Sequence, residues 1–428
     1  MRIHIAAALA MGIAGVPLAM AQQPATSPQN SPVSTGPLTL ETAIAQALET
    51  GPRSAAARAR RQAAAAGIDQ ADVAPNPELS VEMENFEGSG PYRDFRSSER
   101  TYSLSQTLEL GGKRGARVDA ARAGLSRASY DLEISRLDLT RDVRLAFAEA
   151  LAAEADRALA DDQVRLAGEV ERAIQARLEA GREAPIQLNR AEIARRQAQM
   201  VLDQAKRRAQ LARQMLAGLT GIQQPGLILV DDWFKRLDTT PAQATATSES
   251  ADLLRQQTAV RQGRADLAVE QAKAIPDVTV SAGFRQFREG NDNAFLVGVS
   301  VPIPVFDQNR GAIARARAEL TAAEADLAAE RIDRERRLAA ATANLDAARD
   351  NATALQGQII PTAETAFAAA QEGYRQGKFS YLEVLEAQRT LFEARRDLIN
   401  TLQGFHNARA ELDRLTATAA VTGAEGAR

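Results

Sequence analysis

Glu383 and Glu386 stand three residues apart in a segment of helical pattern, so their carboxylates share one helix face. Paired acids so placed attract cations, and without further context they are also what any solvated helix surface carries. The groups that would turn acids into catalysts or metal ligands are missing. Cysteine is absent from the 428 residues, which removes disulfides, thiolate metal sites and thiol nucleophiles. Past His4 the one histidine is His406, whose neighbours Phe405 and Asn407 point to ordinary helix packing. One imidazole and no thiol leave neither a catalytic triad nor a zinc site. Gly111-Gly112-Lys113-Arg114 is too short for a phosphate loop and lacks its Ser or Thr. Met83, Met200 and Met215 are scattered, so they build no thioether ladder for copper. A net charge of −3 is too balanced for a nucleic-acid binder, which must neutralise phosphates. The expectation is no catalytic residue, no resident metal and no cofactor. The chain reads as something other than an enzyme.

The elements that would position the acids come in two copies. Ala74-Pro75-Asn76-Pro77-Glu78-Leu79-Ser80-Val81 is answered by Ala274-Ile275-Pro276-Asp277-Val278-Thr279-Val280, and Arg114-Gly115-Ala116 by Arg310-Gly311-Ala312. Gly181 is answered by Gly377, 196 positions on (377 less 181). An offset that holds at 196 from Arg114 to Gly181, with a three-residue slip inside a hairpin (Pro77 is answered by Pro276, 199 on), is the trace of a duplicated structural unit. Each unit reads as short strand, loop, short strand, very long helix, Gly turn, helix. Leu79, Val81 and Met83 alternate with Ser80, Glu82 and Glu84, and Tyr102 and Leu104 with Ser103 and Ser105. In the second copy Val278, Val280, Ala282 and Phe284 alternate with Thr279, Ser281, Gly283 and Arg285, and Phe295, Val297 and Val299 with Gly298 and Ser300. Period-2 patterning fits half-buried strands.

Patterning alone also fits two hairpins on a soluble sheet. The aromatics turn the reading towards a membrane: Phe86, Tyr92, Phe95 and Tyr102 gather at one hairpin, Phe284, Phe287, Phe295 and Phe306 at the other. Membrane barrels carry such aromatic girdles and strands of roughly 9–11 residues. Four strands cannot close a barrel whose smallest known form has about 8, and open edges are not tolerated in lipid. Other copies must pair those edges, and three copies give about 12 strands. The fold class expected is mainly α with a β-barrel contribution: a long coiled-coil α-barrel plus four transmembrane strands per chain, closing as a 12-stranded barrel in a trimer.

Beyond each hairpin the pattern becomes helical. Leu125, Leu132 and Leu139 are seven apart, as are Ile313, Leu320 and Leu327; an eleven-residue step then leads to Leu338 and Leu345. Leu391, Leu398, Phe405 and Leu412 keep the heptad on the return helix. Sustained heptads specify coiled-coil packing, and an 11-residue step is a stutter. From Gly112 to Gly181 a continuous helix would extend ~100 Å. Aromatics at 4% and abundant alanine suit narrow helix seams. The charge run Arg331, Asp333, Arg334, Glu335, Arg336 and Arg337 is expected to be a solvated coiled-coil face, and Pro361 to kink the second long helix.

At the N-terminus, Arg2 and His4 precede the apolar run from Ile5 to Leu18, and Ala19-Met20-Ala21 supplies a cleavage site. The expected plan is a signal peptide over 1–21, cleaved after Ala21, then a flexible leader over 22–38. A first repeat follows over 39–217, with its strand hairpin at 76–110 and its helical tip near 181. A connector at 218–250 leads to a second repeat over 251–417, with its hairpin at 276–303 and its tip near 377. Residues 418–428 are expected to be a flexible tail. Thr39 should cap the first helix, and Gly51-Pro52 should break it.

Over residues 39–417 the chain resembles the TolC family of outer-membrane efflux channels. The resemblance is carried by Gly373-Tyr374-Arg375-Gln376-Gly377 and by Leu382-Glu383-Val384-Leu385-Glu386-Ala387-Gln388. The stretches Gln106 to Arg114 and Pro302 to Gly311 look like the CzcC-like branch, which serves heavy-metal exporters. The resemblance implies a homotrimeric, passive conduit in the outer membrane of a Gram-negative bacterium, extending into the periplasm among outer-membrane lipids. It implies a periplasmic adaptor and, through it, an inner-membrane pump of the RND type. It also implies that Glu383, Glu386 and Tyr374 form the pore constriction. Arg177-Leu178-Glu179-Ala180-Gly181 resembles a tip motif that engages the adaptor, so Arg177, Leu178, Gly181, Gly377 and Lys378 would be tip contacts. Where the family archetype places an arginine after the turn glycine, this chain has Phe379; Lys378 or Arg375 could substitute for that polar contact. Two other readings stay open: a channel of the same family for drugs or other small molecules, and a periplasmic coiled-coil adaptor or scaffold. The latter explains the heptads and the signal peptide but not the aromatic hairpins.

Overall fold

The structure, a computed structural model, describes residues 37–221, 229–230, 232–237 and 250–418. The expected signal peptide, nearly all of the leader, much of the connector and the tail beyond Thr418 lie outside the described residues.

Helix α1 (Leu40–Thr50) begins as expected at Thr39. Its Oγ1 accepts the Thr42 N–H at 3.3 Å while the Thr42 hydroxyl oxygen accepts the Thr39 N–H at 3.1 Å. Gly51 ends it, and Pro52, whose missing N–H costs nothing at a helix start, opens α2 (Pro52–Ala71). Strands β1 (Glu78–Glu84) and β2 (Glu99–Leu108) lead to α3 (Lys113–Glu179), 67 residues without interruption. At ~1.5 Å per residue α3 is about 100 Å long. It returns as α4 (Pro185–Thr220), which takes the first residues of the expected connector into a helix. The second copy runs α5 (Ala251–Lys273), β3 (Val278–Phe287), β4 (Asp292–Ser300), α6 (Arg310–Ala354), α7 (Ile360–Arg375) and α8 (Tyr381–Thr416). Helices α4 and α8 each contain 36 residues.

Duplication reaches the individual hydrogen bonds. At the first tip Arg182 N–H donates to Arg177 O at 2.8 Å and Gly181 N–H to Leu178 O at 2.9 Å. At the second, Lys378 N–H donates to Gly373 O at 2.8 Å and Gly377 N–H to Tyr374 O at 3.0 Å. Both are Schellman motifs, whose left-handed residue favours glycine; Gly181 has φ 70° and Gly377 φ 75°.

At Pro361, where a kink is expected, a π turn at Leu355–Ile359 interrupts the α geometry just before it and joins α6 to α7, so the register shift absorbs the missing donor. One expectation about the long helices is corrected. Within the expected solvated charge run, Arg334 is buried at 9% exposure. It stands seven residues after Leu327 and seven before buried Ala341, so a guanidinium occupies the heptad position that the eleven-residue step skips. The long arginine stem can lie along the helix seam there.

The main core lies where α1, α3, α4 and α8 meet, around Val143, Phe147, Leu216 and Leu402. Phe405 and Leu412 are buried as the heptad requires. His406 is indeed a packing residue. Its ring lies 3.8 Å from Trp233, centroid to centroid, and its Nε2–H donates to the Phe234 carbonyl at 2.9 Å. Burial lowers its pKa, with the bond to Phe234 acting in the opposite direction. The described connector residues are thus a packed strap rather than a loose link, and Leu229 pairs with Leu38. Arg414, 9% exposed, ties three helices: Nε lies 2.6 Å from Asp138 on α3, and Nη1 lies 2.6 Å from Asp252 on α5.

The strands form one antiparallel sheet in the order β1-β2-β3-β4, so β1 and β4 are both open edges. Its register puts the alternating apolar residues on a single face: Val81 opposite Tyr102, Tyr102 opposite Phe284, Phe284 opposite Phe295. The Gly-Gly-Lys segment is the joint between sheet and helix. Asp277 accepts the Leu110 N–H at 3.0 Å and pairs with Lys113 at 2.7 Å. Gly111, at φ 69°, fits against Ile275, where a Cβ would come within 2.6 Å.

Candidate functional site

Two regions carry the features that a function must use: the paired helical tips and the exposed sheet.

At the tips, α3 and α7 end side by side and place Tyr374 against Arg177. The Tyr374 hydroxyl donates to Glu183 Oε2 at 3.0 Å, and the Arg177 guanidinium lies 4.6 Å from the Tyr374 ring centroid. Arg177 Nη1 donates to the Tyr374 carbonyl at 3.3 Å, while its Nε lies 3.4 Å from the same Glu183 oxygen. Burial, then the bond to the Glu183 carboxylate, pushes the Tyr374 pKa up to about 12, so this hydroxyl stays a donor at any physiological pH. Tyr381 packs 6.1 Å from it, over a small core of Ile174, Ala191, Ala370 and Val384.

Of the expected constriction and tip residues, the structure brings Tyr374 and Arg177 into contact. Leu178 is half-buried beside them, whereas Gly181, Gly377 and Lys378 are exposed at the turns. Within one chain, the polar contacts of Tyr374 are to Glu183 and Arg177. Arg375 pairs with Glu372 at 3.8 Å. Phe379 lies on Gly373, where a Cβ would stand 2.1 Å from the ring, which explains a glycine at that position. Glu183 was not singled out by sequence reasoning. Its one signal is an acid two residues beyond the turn glycine, at the place that Phe379 holds in the second copy.

Glu383 and Glu386 are exposed in the first turns of α8, away from buried Tyr381, Val384 and Gln388. Glu383 has a local task as well. Its Oε2 accepts the Ser380 N–H at 2.6 Å in a capping box, where an acid also suits the positive end of the helix.

The sheet presents an apolar face without a partner among the described residues. Leu79 is 71% exposed, Phe295 91%, Val297 86% and Val299 69%. Single exposed apolar side chains mean little, but a contiguous face of this kind marks a surface built for an apolar surrounding or a partner. The opposite face carries Ser80, Glu82, Glu84, Glu99, Thr101, Ser103 and Arg285, with Phe287 and Leu296 as apolar exceptions. Among the described residues, no helix is long and apolar enough to cross a membrane.

A family described as outer membrane efflux protein matches residues 43–222 and 244–418. The chain is similar to the cobalt-zinc-cadmium resistance protein CzcC of Cupriavidus metallidurans, at 34% identity over 389 residues, 89% of this chain and 90% of that protein. Nickel and cobalt resistance protein CnrC of the same organism is 29% identical, covering 68% of this chain and 69% of its own length. Among solved structures, CusC matches with a TM-score of 0.75 at 18% identity, over 89% of this chain and 92% of that one. VceC of Vibrio cholerae matches with a TM-score of 0.72 at 21% identity, over 89% and 96%. These structural likenesses speak for the fold.

Proposed function

The chain belongs to the outer membrane efflux protein family, and from that premise we propose that it works as a homotrimeric, passive conduit for heavy-metal cations, reaching from periplasm to exterior. The observation that carries this reading is the four-stranded sheet, with one exposed apolar face and two open edges, joined to helices about 100 Å long. In hydrocarbon such edges need partners. Three chains supply them in a closed barrel of about 12 strands, with lipid on the apolar face and the polar face on the lumen. The helices then continue the lumen into the periplasm, and their tips meet an adaptor that links the channel to an RND-type pump. Efflux as an outer-membrane channel also sets aside the reading as a periplasmic adaptor or scaffold.

At the tips, Glu383 and Glu386 from three chains would make two close rings of carboxylates, which favour cations and repel anions. The Tyr374–Glu183–Arg177 contact would hold each chain's two hairpins together at the narrow end. Arg177 is committed to that contact, so Leu178, Gly181, Gly377 and Lys378 remain for an adaptor. The metal cargo is supported by relatives whose names record cobalt, zinc, cadmium and nickel resistance. A pyoverdine export protein, OpmQ of Pseudomonas putida, is 27% identical over 87% of this chain and keeps an organic cargo as the second reading.

Deleting the gene tests the cargo. The strain should lose tolerance to cobalt, zinc or cadmium and regain it on complementation. Unchanged metal tolerance with new sensitivity to organic compounds would move the reading to the second cargo. The mass of the detergent-solubilised protein tests the assembly, because a stable monomer or dimer contradicts the closed barrel.

A further inference from the structure

Glu84 on β1 and Glu99 on β2 stand directly opposite each other. Like charges in directly opposed strand positions repel, so a sheet keeps such a pair only with compensation. The compensation comes from the third strand. Arg285 on β3 places Nη2 3.0 Å from Glu84 Oε2 and Nη1 2.9 Å from Glu99 Oε2, and its Nε donates to Thr101 Oγ1 at 2.9 Å. The Asn85 amide donates to the remaining Glu99 oxygen at 3.1 Å. One guanidinium thus clasps three strands on the polar face, near the hairpin turns and at the end of the sheet remote from the helices. Arginine suits this position because its planar fork meets two carboxylates at once and never loses its proton.

We propose that Arg285 controls release at the outer mouth: by occupying Glu84 and Glu99, it denies a departing divalent cation two bare carboxylates. The inference rests on the reading that the polar face lines the lumen and the hairpin turns face the exterior. Oxygen ligands of this kind are what hard and borderline divalent cations seek, and a conduit must bind weakly enough at its exit for the cargo to leave. Without Arg285, each chain would present the Glu84–Glu99 pair unneutralised, with Glu82 on the same face nearby.

Single-channel recording in planar bilayers tests this, with Co²⁺ added on the side of the hairpin turns. Arg285→Gln should lower the blocking concentration of Co²⁺ on the order of tenfold, as expected for losing a compensating charge ~4 Å away in partly screened surroundings. Arg285→Lys, which keeps the charge but loses the fork, should fall between the wild type and Arg285→Gln. The triple change Arg285→Gln, Glu84→Gln, Glu99→Gln, which leaves no charge at the cluster, should bring block back to the wild-type level or below it, which a merely damaged sheet would not do. Glu84→Gln with Glu99→Gln, keeping Arg285, should weaken block below wild type and reduce cation selectivity, a shift of opposite sign that stands even if Arg285→Gln does not assemble. Unchanged block in the Arg285→Gln and double-Gln channels, or enhanced block surviving in the triple variant, overturns the proposal while leaving the conduit intact. A wild-type protein that opens no channel overturns the conduit reading and this proposal together.

Discussion

The Tyr374 hydroxyl donates to the Glu183 carboxylate at 3.0 Å across 191 positions of sequence, and so joins the ends of two helical hairpins that the chain builds separately. Tyr374→Phe removes that bond and leaves the ring beneath Arg177. The loss should be about 1 kcal/mol locally, too little to unfold the chain but enough to raise the spontaneous opening frequency of single channels. The pH dependence has a defined sign. The tyrosine pKa is raised in the fold, so its contribution is whole below about pH 10 and is lost as pH rises towards about 12. Opening should therefore be insensitive to this group through the physiological range and increase only in strong alkali.

Glu383→Gln combined with Glu386→Gln tests the constriction without disturbing the helix start, because glutamine serves in a capping box as glutamate does. Cation selectivity should fall, as should block by multivalent cations from the periplasmic side, with assembly unchanged. Glu383→Ala would mix two effects, adding the loss of the cap at roughly 1 kcal/mol. A double-Gln channel with unchanged selectivity returns both residues to plain helix surface.

Val299 and Ser300 are neighbours on opposite faces: Val299 pairs with Val280 on the apolar side and Ser300 with Thr279 on the polar side. Val299→Arg should cost about 2–4 kcal/mol of membrane stability, seen as a lower melting temperature of the reconstituted assembly. Ser300→Arg should be tolerated. Equal damage from both would mean that the apolar face does not meet lipid.

Arg414→Met strands two carboxylates around a buried position. Burial acts to raise Asp252, yet the bonds from Arg414 outweigh it and hold its pKa below the usual value. The cost should be about 3 kcal/mol, the low end for a broken buried pair because Asp138 keeps some contact with water. In the wild type, the Asp252 contribution is present at neutral pH and lost as pH falls below its ordinary range. In the variant the sign reverses, so mild acid should narrow the gap in melting temperature between the two proteins.

What the sequence made legible was whatever repeats. The pairing of Gly181 with Gly377 reappears as the same two backbone hydrogen bonds at each tip, and the alternation in the strands reappears as a two-faced sheet. Local patterns of that kind are set by short-range geometry, and a reader can count them. Contacts between distant segments were hidden. Nothing near Arg177 announces Tyr374, and Glu183 looks like one more acid until the tips meet. Arg334 misled because its neighbours are charged, although its seven-residue spacing from Leu327 and Ala341 was there to be read. Pro361 marked the place of an irregularity but not its form, since no local rule demands a π turn upstream.

The open edges at β1 and β4 have a consequence for how such a channel comes into being. A lone chain has no low-energy state inside hydrocarbon, since two rows of backbone donors and acceptors would go unsatisfied there. If three chains close the barrel as proposed, association and membrane insertion become a single event, and its rate should climb steeply with the supply of subunits. It follows that a chain defective in one edge strand is worse than a missing chain. Co-expressed with the wild type, it would enter shared assemblies and leave each with a seam that cannot seal. A genetically recessive deletion and a dominant point mutation in β1 or β4 should therefore be found in the same gene.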